Sequence, residues 1–105
     1  MEKRLHIQLP EEEIASFCRR WKVKELSAFG SVIREDFGPE SDVDLLVTFD
    51  PDAHWTLFDM VRMQDELKTL LGRNVDLVSR RGVESSRNPI RRKAILSSAE
   101  LIYAA

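Results

Sequence analysis

The chain is 105 residues long and 43% apolar, enough for one compact domain over residues 1–105 and too short for several. A net charge of −2 and a pI near 5.7 weigh against stable nucleic-acid binding, which needs a basic surface to displace counterions. The single cysteine, Cys18, cannot form an internal disulfide, no apolar run approaches the roughly 18 residues of a bilayer span, and MEKRLHIQLPEEE has no signal-peptide core, so the expected compartment is the cytoplasm.

Leu9-Pro10-Glu11-Glu12-Glu13 reads as a helix start, with Pro10 near the first helical position and acidic side chains complementing the dipole. Ile14, Phe17, Cys18 and Trp21 recur at helical spacing; the helix is expected to end near Arg20, before a strand from Val23 to Phe29. Gly30-Ser31 makes a tight turn, Val32 to Phe37 a short helical turn stopped by Gly38-Pro39, and Val43 to Phe49 a second strand. So short a connection favours antiparallel pairing of the two strands. Thr56 is placed to cap a helix from Leu57 to Leu71, whose Leu57, Met60, Val61, Leu67, Leu70 and Leu71 fall mostly on one stripe, and Gly72 ends it. A third strand, Val75 to Ser79, leads into a polar loop containing Arg80, Arg81, Gly82, Ser85 and Ser86. Asn88-Pro89 then opens a last helix from about Ile90 to Ala99, with Ile90, Ala94 and Ile95 inward. Leu101 to Ala104 is either a short strand or the end of that helix. The sum is an α/β (α+β) domain: a small mixed or antiparallel sheet of three or four strands with helices mainly on one face.

Strand side chains alternate, so Asp42 and Asp44 project together while Val43, Leu45, Val47 and Phe49 line the other side. Two carboxylates at the start of a buried strand repel each other and lose hydration unless a cation sits between them. A hard divalent ion suits them: Mg²⁺ takes oxygen ligands, commonly one or two carboxylates plus substrate phosphates. Phosphoryl transfer uses two such ions roughly 4 Å apart. Gly30 lets the backbone approach a phosphate closely, and the N–H groups of Ser31 and Val32 with the Ser31 hydroxyl are donors for its oxygens. Asp76, a lone carboxylate between Val75 and Leu77, has the pattern of a third metal ligand or a general base.

Gly30-Ser31, Arg34 and Ser41-Asp42-Val43-Asp44-Leu45 together resemble the GSxxR…SDxDL signature of the polymerase-beta-like nucleotidyltransferases. In its shortness the chain is most similar to the minimal nucleotidyltransferases (MNT) that accompany HEPN-domain partners in prokaryotes. The resemblance implies an enzyme that binds ATP and two Mg²⁺ through Asp42, Asp44 and Asp76, receives pyrophosphate at Gly30-Ser31, and draws on Arg34 and Ser41 for the nucleotide. It further implies a protein adenylyltransferase acting as an antitoxin, with AMP passed to a hydroxyl, that of a tyrosine, on a HEPN ribonuclease toxin. Read from the residues alone, Arg34 is equally able to pair with Glu35 or Asp36, and Ser41 to cap its loop.

Other candidates carry less chemistry. Arg91, Arg92 and Lys93 read as a solvated helix face rather than a nucleotide clamp. His6 and His54 lack a second histidine or cysteine at metal spacing, which speaks against zinc. Trp21 and Trp55 read as core or interface, with Trp55 also able to line a pocket. Two further functional classes stay open: a catalytically silent module that neutralises its partner by occlusion, and a transferase acting on a small molecule such as an antibiotic hydroxyl. The turn with three carboxylates weighs against the first, and the lack of a second pocket-forming domain against the second. An oligomer is compatible with all three.

Overall fold

The structure, a computed structural model, describes residues 9–30 and 42–105. The expected turn over 32–37 and its Gly38-Pro39 stop lie outside the described residues, as do Ser31, Arg34 and Ser41. The elements run α1 (Glu11–Arg20), β1 (Val23–Phe29), β2 (Val43–Phe49), α2 (Leu57–Leu71), β3 (Val75–Ser79), α3 (Arg80–Glu84), α4 (Pro89–Ser98) and β4 (Glu100–Ala104). No described helix is long and apolar enough to cross a membrane.

The four strands form one mixed sheet in the order β3-β2-β1-β4. β1 pairs antiparallel with both β2 and β4, while β2 and β3 are parallel and joined through α2, the crossover that parallel strands require. β4 resolves the ambiguity at the end of the chain in favour of a strand.

One face of the sheet carries the larger core. Leu26, Ala28, Val43, Leu45, Val47, Val75 and Leu77 from the strands meet Ile14, Phe17 and Cys18 of α1 and Met63 and Leu67 of α2, all buried. Burial pushes the Cys18 thiol up to about 12, against the pull of the neighbouring Arg19 charge, so it stays a neutral core group. The opposite face carries a smaller cluster of Phe29, Leu46, Val83 and Ile95, through which α3 and α4 pack.

Local chemistry explains the helix limits. α1 begins after Pro10 with three glutamates in its first turn and ends with Arg19 and Arg20 in its last. Thr56 and Asp59 form a reciprocal capping box at the start of α2, and Gly72, at φ 65°, closes it in the left-handed region. Three expectations are corrected. The stripe of α2 that meets the sheet runs through Met60, Met63, Leu67, Leu70 and Leu71, leaving Leu57 and Val61 off that line and exposed. Residues 80–84 are helical rather than a loop, because the Ser79 hydroxyl accepts from Gly82 N–H at 3.0 Å and Val83 is drawn into the second cluster. In α4 only Ile95 is buried; Ile90 and Ala94 face outward, because the helix reaches the sheet only in its later turns, through Ile95, Leu96 and Ala99.

At the outer edge of β3 the Leu77 N–H donates to Gln64 Oε1 of α2 at 3.0 Å, covering a donor an edge strand would otherwise expose. At the far end of the sheet Trp21 packs edge-on against Trp55, ring centroids 5.1 Å apart. Trp21 Nε1 donates to Glu66 Oε2 while Glu66 Oε1 pairs with Arg20, and Trp55 Nε1 donates to the Trp21 carbonyl.

Candidate active site

β1 runs out at Phe29 into Gly30, which adopts φ 73°, a left-handed conformation that favours glycine. Across the antiparallel ladder Phe29 lies opposite Asp44, which brings the Asp44 side chain over the Gly30 backbone. A Cβ on Gly30 would overlap Asp44 Oδ2 and come within 3.3 Å of its Cγ. The missing side chain is therefore the space the carboxylate occupies.

The parallel ladder supplies the second acid. Asp44 is the register partner of Asp76, and partners on paired strands share a face, so the two carboxylates stand on neighbouring strands about 4.8 Å apart. Their strand neighbours confirm the alternation: Val43, Leu45, Val75 and Leu77 are all buried in the core beneath the opposite face. Asp42 sits two residues ahead of Asp44, in the lead-in to β2.

Burial differs from the sequence expectation. Asp44 is half-buried, whereas Asp42 and Asp76 are exposed at the ends of their strands where β2 and β3 begin. Desolvation is thus not what brings these groups together; strand register is. Among the described residues no three carboxylate, imidazole or thiol groups form a set that would hold a metal ion by themselves. The donor set still fits magnesium, which is held by few carboxylates and completes its shell with water and substrate phosphate oxygens. An exposed rim of oxygen donors beside a glycine turn suits a charged ligand that arrives with oxygens of its own.

Two of the hollows among the described residues bear on other residues singled out in the sequence. A roomy one of about 660 Å³ lies at the other ends of β2 and β3, lined by Phe49, Trp55, Leu57, Met60, Arg80 and Arg81 among others, away from the aspartates. It gives Trp55 the pocket-lining place foreseen for it, beside its contact with Trp21. A smaller one lies between β3, α3 and α4 and includes Arg91 and Arg92. Sequence reading missed it, since the basic run alone looks like any solvated helix face.

The nucleotidyltransferase domain profile matches residues 11–102. A Methanocaldococcus jannaschii protein provisionally named a protein adenylyltransferase is 32% identical over 84 residues, 80% of this chain and 79% of that one. The protein adenylyltransferase MntA of Thermococcus cleftensis is 36% identical over 66 residues, 63% of this chain and 65% of its own. Among solved structures, one described as a minimal nucleotidyltransferase superposes with a TM-score of 0.64 at 38% identity, covering 85% of both chains. A toxin-antitoxin crystal structure with AMP-PNP gives 0.70 at 19% identity, covering 92% of this chain and 75% of that one. A Shewanella oneidensis complex of a tri-AMPylated HEPN toxin with its MNT antitoxin gives 0.61 at 18%, covering 90% and 70%. These last two carry the fold alone. With the domain profile spanning nearly all of its length, the chain belongs to the nucleotidyltransferase domain family, among the minimal nucleotidyltransferases, and is an enzyme of that type.

Proposed function

We propose that the protein transfers AMP from ATP, with two Mg²⁺ held by Asp42, Asp44 and Asp76, to a tyrosine hydroxyl of a HEPN-family toxin, silencing it as a cytoplasmic antitoxin. An acceptor so modified offers a ribose hydroxyl, and the same chemistry repeats on it. One observation carries the reading: Asp44 is in register with Asp76 and fills the space above the Gly30 turn. The adenylyltransferase name of the Thermococcus relative and the tri-AMPylated toxin bound to the Shewanella neighbour support it.

Bound magnesium supplies charge neutralisation on the triphosphate. The chain's own groups do the rest by position. Asp44, over the Gly30 backbone and in register with Asp76, fixes where the α-phosphate lies. The Gly30 backbone admits the leaving pyrophosphate, with Ser31, Arg34 and Ser41 retained here as phosphate ligands. Asp76, on the far side of Asp44 from Gly30, orients the attacking hydroxyl and takes its proton. The exposed rim admits a hydroxyl carried on a protein surface.

The test is incubation with ATP labelled at the α-phosphate, Mg²⁺ and host lysate. Label on a protein band is expected from the wild type and none from Asp42→Ala with Asp44→Ala. Transfer by that double variant would refute the metal assignment, and label on a small molecule would refute the acceptor.

A further inference from the structure

The smaller hollow, about 280 Å³, has Val78, Val83 and Ile95 as its apolar floor and Arg91 and Arg92 on its wall. Val78, in the lining of the hollow, follows Asp76 by two residues on β3, so both side chains leave the same face of the sheet, about 7 Å apart along the strand. Arg92 Nη1 donates to the Ser86 carbonyl at 3.0 Å, which steadies that guanidinium at the wall.

In-line displacement sets the entering and leaving oxygens on opposite sides of the phosphorus. If pyrophosphate leaves toward Gly30 on the β1 side, the entering hydroxyl comes from the β3 side, where this hollow lies. An apolar floor beside two guanidinium planes suits a nucleobase, and a guanidinium fork suits a phosphate diester. An unmodified tyrosine offers neither group; a tyrosine already carrying AMP offers both.

We propose that this hollow holds the AMP already attached to the acceptor while its ribose hydroxyl is presented for the next transfer, an inference that rests on the repeated transfer proposed above. In that step the ribose oxygen bonds to the α-phosphorus of a second ATP, and the bond from that phosphorus to the bridging oxygen breaks. Pyrophosphate departs with the electron pair, and the hydroxyl proton passes to Asp76. Arg91 and Arg92 act as positioning residues for the second acceptor and not for the first.

The probe is tyrosine amide esterified at its phenolic oxygen with AMP, titrated calorimetrically into protein saturated with Mg²⁺ and a non-hydrolysable ATP analogue. Arg91→Gln with Arg92→Gln is expected to bind the probe at least about tenfold more weakly, the scale of a lost charge-assisted hydrogen bond. Binding of the ATP analogue is expected to change by less than about twofold, with circular dichroism confirming the fold; Arg91→Gln alone, on an exposed side chain, gives the same direction if the double variant unfolds. Equal affinity for the probe, or weakened binding of the ATP analogue instead, overturns the proposal. A wild type that binds the ATP analogue but not the probe overturns it while sparing the parent reading. Failure to bind the ATP analogue at all removes both.

Discussion

Gly30 and Gly72 offer a matched pair of perturbations. Both sit in the left-handed region, at φ 73° and 65°, so alanine at either costs about 1–2 kcal/mol of backbone strain. For a domain near 100 residues that is a fall in Tm of roughly 5–15 °C. Their surroundings differ: nothing lies within 4 Å of a Cβ on Gly72, whereas a Cβ on Gly30 lands on the Asp44 carboxylate. That carboxylate is the outer end of a short side chain, so the side chain rather than the backbone gives way. It cannot swing aside and keep its place beside Asp76, and a displacement of about 1 Å costs on the order of 100-fold in rate. Thermal unfolding should therefore rank Gly30→Ala and Gly72→Ala together, while transfer from α-labelled ATP should fall about 100-fold in the first and stay near wild type in the second. Wild-type transfer by Gly30→Ala, or an equal loss in Gly72→Ala, would refute the reasoning.

Asp76→Asn should lower transfer by roughly 10²-fold in single-turnover assays while leaving Tm within a few degrees, since the side chain is exposed. Leu67→Ala should cost about 2–5 kcal/mol in urea unfolding. Leu57→Ala, 84% exposed, should stay within about 0.5 kcal/mol, and a large loss there would move the α2 contact line. Glu66 gives the pH dependence. Its burial raises the carboxyl pKa, but the hydrogen bonds from Arg20 and Trp21 and the Arg20 charge outweigh this and hold it below the ordinary 4.5. With the folded value depressed, its contribution is present above about 4.5 and disappears as pH drops through the folded value. The stability gap between wild type and Glu66→Gln should therefore be flat at neutral pH and close below 4.5; a gap that widens in acid would reverse the assignment.

The strands were legible because their apolar residues alternate and are bounded by turn residues, and the antiparallel β1–β2 pairing followed from the short connection. α2 was legible because Thr56 and Gly72 mark both its ends. The faces of α2 and α4 were not, because periodicity finds an apolar stripe without saying how much of it the sheet can cover; Leu57, Val61 and Ile90 are left outside. α3 escaped because its signal is a single serine cap and one buried valine within a polar run. The DxD spacing and the lone acid of β3 pointed to one site, but the alignment of Asp44 with Asp76 is a fact of strand register, and sequence spacing cannot fix that across a crossover.

The edge-on tryptophan pair has a practical consequence. These two indoles are the only ones in the chain, and they sit at the Val23–Phe49 end of the β1–β2 ladder, whose Phe49 is five residues and roughly 17 Å along β2 from Asp44. Intrinsic emission thus reports the corner where α1 meets α2 and is well away from any nucleotide at the aspartates. Denaturation can be followed by fluorescence in the presence of ATP with little direct quenching by the ligand, so a shift in midpoint on adding nucleotide measures linkage between site and fold.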